Sequence, residues 1–337
     1  MSEVVLLAHG AGGQLSHDLV ERVFAAAFAN PLLAPLDDSA VLPAPPAGSR
    51  LAFTTDSYVV TPLFFPGGDI GRLAVCGTGN DLARSGARPL GLSAAFIVEE
   101  GFSLADLERV AASMAAAARE AGVEVVAGDT KVVERGQADG CFITTAGVGL
   151  IGPGVDIAGA NARPGDAVLL SGPVGDHGLA IMSQREGLRF ETPLESDVAP
   201  LNGLVGEMLA ASSQVHTLRD PTRGGVATTL NEIARQSQVE IVVEEASIPV
   251  QPAVRGLAEL LGLDPLYVAN EGKLVAVVPE AAAERVLAAM RAHPLGRQAA
   301  RIGQVREGQP GRVALRTALG SHRVLDMMVG ELLPRIC

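Results

Sequence analysis

Periodic and alternating apolar positions divide the first half of the chain into predicted strands and helices. Residues 51–60 are rich in threonine, aromatic and β-branched side chains, which favours a strand. Residues 103–120 follow a helical pattern with Ser103 as N-cap, Asp106 in a weak capping box and Gly122 as the stop. The other elements predicted in this half are a helix at 70–85 and strands at 88–98, 124–134 and 141–151.

A second set of elements follows a glycine- and proline-rich break near residue 153. It consists of predicted helices at 176–186, 197–211, 223–237 and 280–292, and predicted strands at 167–171, 239–245, 266–269, 273–278, 300–306 and 313–317. The mixed order of elements predicts an α/β fold of the α+β type. We expect one domain at 1–152, a second at 153–326, and a mobile tail at 327–337 for which no element is predicted.

Composition and charge narrow the class of protein. A chain of 337 residues with 48% hydrophobic residues is long and apolar enough for two packed domains. The net charge of −12 disfavours a nucleic acid partner, whose affinity depends on Lys and Arg. No run approaches the ~20 apolar residues of a membrane span, and the first residues lack the pattern of a signal peptide. We therefore expect a cytoplasmic protein that binds neither nucleic acid nor membrane.

The three cysteines have no paired spacing, so they do not form a disulfide framework and fit a reducing compartment. Cys76 and Cys141 lie in apolar segments and are predicted to be packing residues. Cys337 is the last residue, where a thiol on a loosely held end can reach its own active site or that of a partner. It is a candidate nucleophile; the alternative is an inert terminal thiol.

Aspartates interrupt apolar or strand-forming segments at four places. Asp38 follows a proline-rich stretch, Asp56 lies inside a predicted strand, Asp81 follows Asn80 in an apolar helix, and Asp129 ends a strand. A carboxylate in such a segment is costly unless it is paired or binds a metal ion. Magnesium prefers a few carboxylates together with phosphate oxygens. The set predicts a metal–nucleotide site; the alternative is that each Asp is a cap, a turn residue or an ion-pair partner.

Glycine-rich loops provide candidate phosphate contacts, because glycine lets backbone N–H groups approach an anion closely. One loop contains His9, Gly10, Gly12 and Gly13, and another places Arg223 before two glycines at a helix start. A structural Asp–Arg clamp is the alternative for Arg223. The chain lacks the signatures of P-loop NTPases and of dinucleotide-binding folds. The histidines show no zinc-ligand spacing, and apart from His9 most are predicted to be surface or capping residues.

These segments together resemble the superfamily of ATP-dependent enzymes that includes aminoimidazole ribonucleotide synthetase, selenophosphate synthetase and thiamine-monophosphate kinase. Over nearly the whole chain they are most similar to the HypE family of hydrogenase-maturation carbamoyl dehydratases. The ending Pro334-Arg335-Ile336-Cys337 is the part specific to that family. The other segments that carry the resemblance are 9–13, 37–40, 55–57, 79–81, 127–131, 220–225 and 270–273.

The resemblance implies a two-domain aminoimidazole ribonucleotide synthetase-like fold and a homodimer whose N-terminal sheets join across the interface. It implies ATP held by Mg²⁺ on Asp38, Asp56, Asp81 and Asp129, beneath the glycine-rich N-terminus. It further implies that Cys337 receives a carbamoyl group from the carbamoyltransferase HypF and that ATP drives its dehydration to thiocyanate. A HypC–HypD complex would then carry the cyanide to the iron of a nickel–iron hydrogenase.

Within that chemistry, Lys131 is our candidate for polarising the carbamoyl oxygen or the phosphate, and Glu271 is our candidate base. The predicted nucleotide contacts are His9, Gly10, Gly12, Gly13, Asp38, Asp56, Asn80, Asp81, Asp129 and Arg223. Two alternatives remain: a small-molecule kinase or synthetase of the same superfamily, which needs no terminal thiol, and a non-catalytic adaptor that docks through its tail.

Overall fold

The computed structural model describes residues 3–37, 39–187, 194–328, 330, 333 and 335–337. Across those residues, no helix is long and apolar enough to cross a membrane. The helices and strands form two α/β layers, one in each half of the chain, and the end of the chain lies between them.

In the described part of the N-terminal half there are three α-helices and six strands. The two long predicted helices and the four predicted strands are confirmed to within two residues. The elements are α1 (Gln14–Leu19), α2 (Ile70–Arg84), α3 (Leu104–Ala121), β1 (Arg50–Tyr58), β2 (Phe64–Phe65), β3 (Gly68–Asp69), β4 (Ala87–Glu99), β5 (Val125–Val133) and β6 (Cys141–Ile151).

Capping residues place the two long helices. The Ser103 hydroxyl accepts a hydrogen bond from the Asp106 N–H at 3.3 Å, and Gly122 ends α3 with φ +64°. The Asp69 carboxylate caps α2 in the same way. At Gly71 the helices approach so closely that a Cβ would lie 2.5 Å from the Val110 carbonyl oxygen. The pair therefore packs as one layer.

The four longer strands form a sheet in the order β1-β6-β4-β5, so β1 and β5 are its edges. Helix α2 packs on one face, against β1, β6 and β4. The other face carries apolar side chains that remain exposed, notably Phe53 at 73% and Leu51 at 57%. Exposed apolar groups grouped on one face of a sheet indicate a surface that another body covers.

The C-terminal half is built on a seven-stranded sheet in the order β13-β12-β9-β11-β7-β10-β8, with helices on both faces. Among its described strand pairs, only β9 and β12 are parallel. The elements are β7 (Ala167–Leu170), β8 (Thr217–Arg219), β9 (Glu240–Glu244), β10 (Val275–Val278), β11 (Ala300–Arg306), β12 (Val313–Arg316), β13 (His322–Val324), α4 (Asp176–Arg185), α5 (Asn202–Ala211), α6 (Gly225–Ser237), α7 (Pro252–Leu261) and α8 (Glu280–Ala292).

In this half, two predicted elements differ from the structure and three elements were not predicted. The predicted strand at 266–269 is instead a 3-10 turn at Pro265–Tyr267, because the Asp264 carboxylate caps it and proline favours a turn start. The predicted helix at 197–211 begins only at Asn202, since Pro200 disfavours helical backbone in the residue before it. The amphipathic α7 and the short strands β8 and β13 were missed.

Two described residues near the end of the chain are packed. Leu333 and Ile336 are buried in the same apolar cluster as residues of α2, α3, α4 and α7. This packing brings the last residue of the chain to the junction of the two domains, and the mobility of the tail stays a prediction.

Candidate active site

The end of the chain lies in a polar cavity of about 360 Å³ between the domains. Strand β1 and helix α2 form one wall, and the loops around α6 and before β10 form the other. The structure therefore brings together five predicted site residues that are distant in sequence: Asp56, Asp81, Arg223, Glu271 and Cys337.

Backbone hydrogen bonds hold Cys337 at this cavity. The Val59 N–H donates to the Cys337 carbonyl at 3.1 Å, and the Thr61 N–H donates to the Arg335 carbonyl at 3.2 Å. The Arg335 guanidinium donates to the Val59 carbonyl and forms an ion pair with Asp139. The final residues therefore lie alongside the segment that follows β1, much as an added strand does.

The N-terminal wall contributes two carboxylates. Asp81 accepts a hydrogen bond from the Thr54 hydroxyl at 2.7 Å and pairs with Arg84 at 3.1 Å. Burial raises the pKa of Asp56, the Ser57 N–H lowers it, and the charge of Asp81 raises it further. A cation bound beside Asp56 would offset this burial and repulsion.

The C-terminal wall contributes Glu271, which is 4% exposed. Burial raises its pKa well above the ordinary value, and the charges of Asp220 and Asp197 raise it further. Burial and the neighbouring charges therefore favour the protonated form of Glu271, and a nearby cation would favour the ionised form that can accept a proton.

Opposite Glu271, the N-terminus of α6 supplies positive potential. Gly224 and Gly225 adopt φ values of +77° and +59°, and a Cβ on Gly225 would lie 2.5 Å from the Leu266 carbonyl oxygen. The Arg223 side chain borders the cavity, and the buried Thr228 hydroxyl has no hydrogen-bond partner among the described residues. Helix dipole, guanidinium and hydroxyl together favour an anion such as phosphate.

Asn80 makes hydrogen bonds to backbone groups of the other domain. It is 3% exposed, and its Nδ2 donates to the carbonyls of Ala199 at 3.1 Å and Glu271 at 3.3 Å. Its Oδ1 accepts from the Leu201 N–H at 2.7 Å. The side chain joins the two domains directly behind Glu271, and its contact with a nucleotide stays a prediction.

Five further predicted residues lie at a second, larger cavity of about 630 Å³. Its floor is apolar, with Phe24, Phe28 and Phe96. Gly10 is sterically required there, because a Cβ would lie 2.7 Å from the Val132 nitrogen. Gly13 does not line this cavity. The predicted residues that do line its mouth are His9, Gly10, Gly12, Asp129 and Lys131.

Among the described members of the predicted metal-ligand set, Asp129 does not meet Asp56 and Asp81 within one chain. Asp56 pairs with Thr145 on β6, which pairs with Ala94 on β4, whose neighbour Ala95 pairs with Asp129 on β5. Three strand spacings separate Asp56 from Asp129 by about 14 Å. Asp129 instead pairs with Lys131 at 2.8 Å. Asp38 lies outside the described residues, which contain no group of three or more metal-ligating side chains.

The sequence did not identify a buried polar group beneath the tail. Contrary to the prediction of surface histidines, His177 is fully buried, and its Nε2 lies 2.7 Å from the Ile336 carbonyl oxygen. Nearby, Lys273 pairs with Asp197 at 3.1 Å. The only sequence signal for this group was the apolar context around each of these charged or polar residues.

The other two cysteines are packing residues, as predicted. Both are fully buried, and burial raises the pKa of Cys76 and of Cys141 to about 12. Cys337 alone lines the polar cavity.

Comparison with known proteins agrees with this architecture. Residues 36–151 match the family model for the N-terminal domain of AIR synthase related proteins, and residues 163–316 match the model for the C-terminal domain. The fold is therefore the two-domain AIR synthase-like fold.

Full-length relatives define the family more narrowly. The chain is 59% identical to the carbamoyl dehydratase HypE of Cupriavidus necator over 98% of this chain and 94% of that protein. Among solved structures it resembles the hydrogenase maturation protein HypE in complex with ATP (53% identity, TM-score 0.95, 98% of this chain and 99% of the other). It also resembles the HypE–HypF complex (50% identity, TM-score 0.81, 92% and 99%). The chain belongs to the HypE family of carbamoyl dehydratases, which act in hydrogenase maturation.

Proposed function

We propose that this protein uses ATP to dehydrate an S-carbamoyl group on Cys337 to S-cyanide, the source of the cyanide ligand of nickel–iron hydrogenase. The observation that carries the proposal is the position of Cys337, which borders the same cavity as Asp56, Asp81, Arg223 and Glu271. A terminal thiol that served only for docking would have no reason to lie among these ionisable groups.

The chemistry has to convert an amide oxygen into a leaving group. The carbamoyl oxygen attacks the γ-phosphorus of ATP, the bond from that phosphorus to the β-bridging oxygen breaks, and ADP departs. The nitrogen then loses its protons while the C–O bond breaks, which gives S–C≡N and inorganic phosphate. The oxygen of the lost water ends in phosphate, so thiocarbamate and ATP balance thiocyanate, ADP and phosphate.

The residues at the cavity fit these tasks. Arg223, the N-terminus of α6 and the Thr228 hydroxyl suit the binding of phosphate oxygens. Asp56 and Asp81 would hold Mg²⁺, which supplies neutralisation of phosphate charge when bound. Neutralising Asp56 would also remove one of the charges that raise the pKa of Glu271, and so favour the ionised carboxylate that can accept a proton from the carbamoyl nitrogen.

Lys131 requires a second copy of the chain. Within one protomer it lies beside Asp129 on β5, about three strands from Asp56 on β1. We propose that the homodimer joins β1 of one protomer to β5 of its partner. Eight strands then close around the exposed face that carries Phe53, and each Asp56 acquires a lysine and an aspartate from the other copy.

Subunit complementation tests this arrangement. Lys131→Ala and Glu271→Gln are each expected to be inactive, but a mixture after subunit exchange should recover about a quarter of wild-type activity, because half the dimers then contain one intact site. Lys131→Ala mixed with itself is the control. If the mixture stays inactive although exchange is demonstrated, the composite site is excluded.

An oxygen-labelling experiment tests the chemistry. Cyanate adds to a thiol to give an S-carbamoyl group, so ¹⁸O-cyanate loads Cys337 without any partner, and Cys337→Ala controls for loading elsewhere. After ATP is added, we expect ¹⁸O in inorganic phosphate. Label recovered in water, or in carbamate released by hydrolysis, would contradict phosphorylation of the carbamoyl oxygen.

The partners follow from the same chemistry. The solved HypE–HypF complex supports HypF as the carbamoyl donor, and a HypC–HypD complex would accept the cyanide, both in the cytoplasm. Because Cys337 lies in a cavity of its own protein here, the tail has to leave this position to be loaded and return to it for dehydration.

A further inference from the structure

Both domains hold the final residues of the chain through backbone carbonyls. The segment after β1 binds Arg335 and Cys337. The residue between them, Ile336, presents its carbonyl to the other domain, where His177 of α4 lies 2.7 Å away. Arg185, at the far end of the same helix, donates to the Arg335 carbonyl. One helix therefore contacts two consecutive carbonyls of the tail.

The His177 ring has a single orientation and a defined proton position. A carbonyl oxygen only accepts hydrogen bonds, so the Nε2 that faces Ile336 carries the proton. The other ring nitrogen, Nδ1, accepts a hydrogen bond from the Ser196 hydroxyl at 2.8 Å, and the oxygen of that hydroxyl accepts from the Val198 N–H. The ring edge packs against Phe65 at 5.6 Å, and burial lowers the pKa of His177, so the ring is neutral.

We propose that His177 is a positioning residue that fixes the register of the docked tail and thereby holds Cys337 at the catalytic cavity during dehydration. Register matters because a slip of one residue moves the thiol by about 3.3 Å, the rise of an extended chain. Such a displacement is large for a reacting group. The proposal rests on the function proposed above, but its first test is independent of that chemistry.

The test compares two amide substitutions that separate the ring nitrogens. In His177→Gln the amide nitrogen reaches about as far as Nε2 and can donate to the Ile336 carbonyl. In His177→Asn the shorter amide reaches only as far as Nδ1 and can form a hydrogen bond with Ser196 but not with the Ile336 carbonyl. A role in packing would be disturbed by both substitutions, whereas the proposed role is rescued by Gln and not by Asn.

Carboxypeptidase digestion of the full-length protein, followed by intact mass, reports on docking. The protease has to bind several residues of an extended C-terminus in its active site, so the rate of Cys337 removal follows the fraction of molecules whose tail is undocked. We expect removal to be roughly tenfold faster in His177→Asn, as for a lost hydrogen bond that leaves a buried carbonyl unpaired. It should be within about twofold of wild type in His177→Gln, and unchanged in His322→Gln on the exposed strand β13.

Dehydration of cyanate-loaded protein provides the functional measurement. His177→Asn should lower the rate of thiocyanate formation at saturating ATP, whereas loading of Cys337 should stay equal or become faster. Equal protease rates for wild type and His177→Asn would overturn the proposal, and so would equal impairment of the Gln and Asn variants. If wild-type protein forms no thiocyanate at all, the proposed function fails while the protease rates still decide the role of His177.

A second variant keeps the test decisive if His177→Asn does not fold. Ser196→Ala leaves the Nε2 bond in place but removes the hydroxyl that holds Nδ1. We expect tail removal to rise roughly threefold, about the effect of losing one partly compensated hydrogen bond. An unchanged rate in a folded Ser196→Ala protein would show that the orientation of the ring does not matter, which contradicts the proposal.

Discussion

Replacing Asn80 by alanine should destabilise the protein strongly while leaving both cavities lined by the same charged groups. The substitution removes hydrogen bonds to three backbone groups of the other domain: the Ala199 and Glu271 carbonyls and the Leu201 N–H. The side chain is 3% exposed, so water replaces these bonds poorly. An unsatisfied buried group costs about 1–3 kcal/mol. With partial relaxation, we expect a loss of about 3–5 kcal/mol.

Urea unfolding followed by far-ultraviolet circular dichroism measures this loss, since the chain has no tryptophan to report by fluorescence. With an m value of about 3 kcal/mol per M, the midpoint should fall by roughly 1–1.7 M. Asn202→Ala is the matched control. Its side chain donates one half-buried hydrogen bond, to the Ala121 carbonyl at 2.8 Å, so it should cost about 1 kcal/mol.

The same variant separates the structural role of Asn80 from the nucleotide contact that the sequence predicted. If the role of Asn80 is to join the domains, Asn80→Ala lowers the free energy of unfolding by more than it lowers the affinity for ATP. An Asn80→Ala protein within about 1 kcal/mol of wild type, with ATP bound at least tenfold more weakly, would refute the reasoning and restore the original prediction.

Three further predictions concern charge and burial. Burial and Asp197 raise the pKa of Asp176 to about 7, so the stability that its protonated form contributes is complete below about pH 3.8 and is lost as the pH rises to about 7. In Asp176→Asn, the urea midpoint should therefore depend less on pH between pH 4 and 7. At pH 8 the variant should be more stable than wild type by up to about 4 kcal/mol. Asp139→Asn removes an exposed ion pair with Arg335 and should speed carboxypeptidase removal of the tail less than about threefold, because such pairs are weak. Thr78→Val removes hydrogen bonds with two buried hydroxyls and should lower the free energy of unfolding by about 1–3 kcal/mol. Carbamoyl loading of Cys337 should not change.

Local pattern was sufficient for most of the long elements. Helix α3 was predicted with both of its ends because Ser103 and Gly122 act through neighbouring backbone groups, which sequence shows directly. Strands β8 and β13, with three residues each, are too short to show alternation. Their place in the sheet depends on distant partners instead.

The candidate site was predicted only in part, because sequence reveals residue types but not strand order. Asp56 and Asp129 look equivalent as aspartates in apolar segments, yet β6 and β4 separate them in the sheet. Beyond its apolar context, His177 gave no signal, since its partner is the carbonyl of a residue 159 positions later. The resemblance to a known family provided the predicted role of Cys337, and the structure added the environment around that residue.

The intact mass of the protein, followed through loading and reaction, tests the central claim most directly. The protein is loaded by HypF and its substrates, and its mass is recorded before and after ATP and Mg²⁺ are added. We predict a carbamoyl adduct that then loses the mass of one water, with no adduct at all in Cys337→Ala. A wild-type protein that consumes ATP on a small molecule while Cys337 stays unmodified would contradict the account and favour a kinase or synthetase of the same fold.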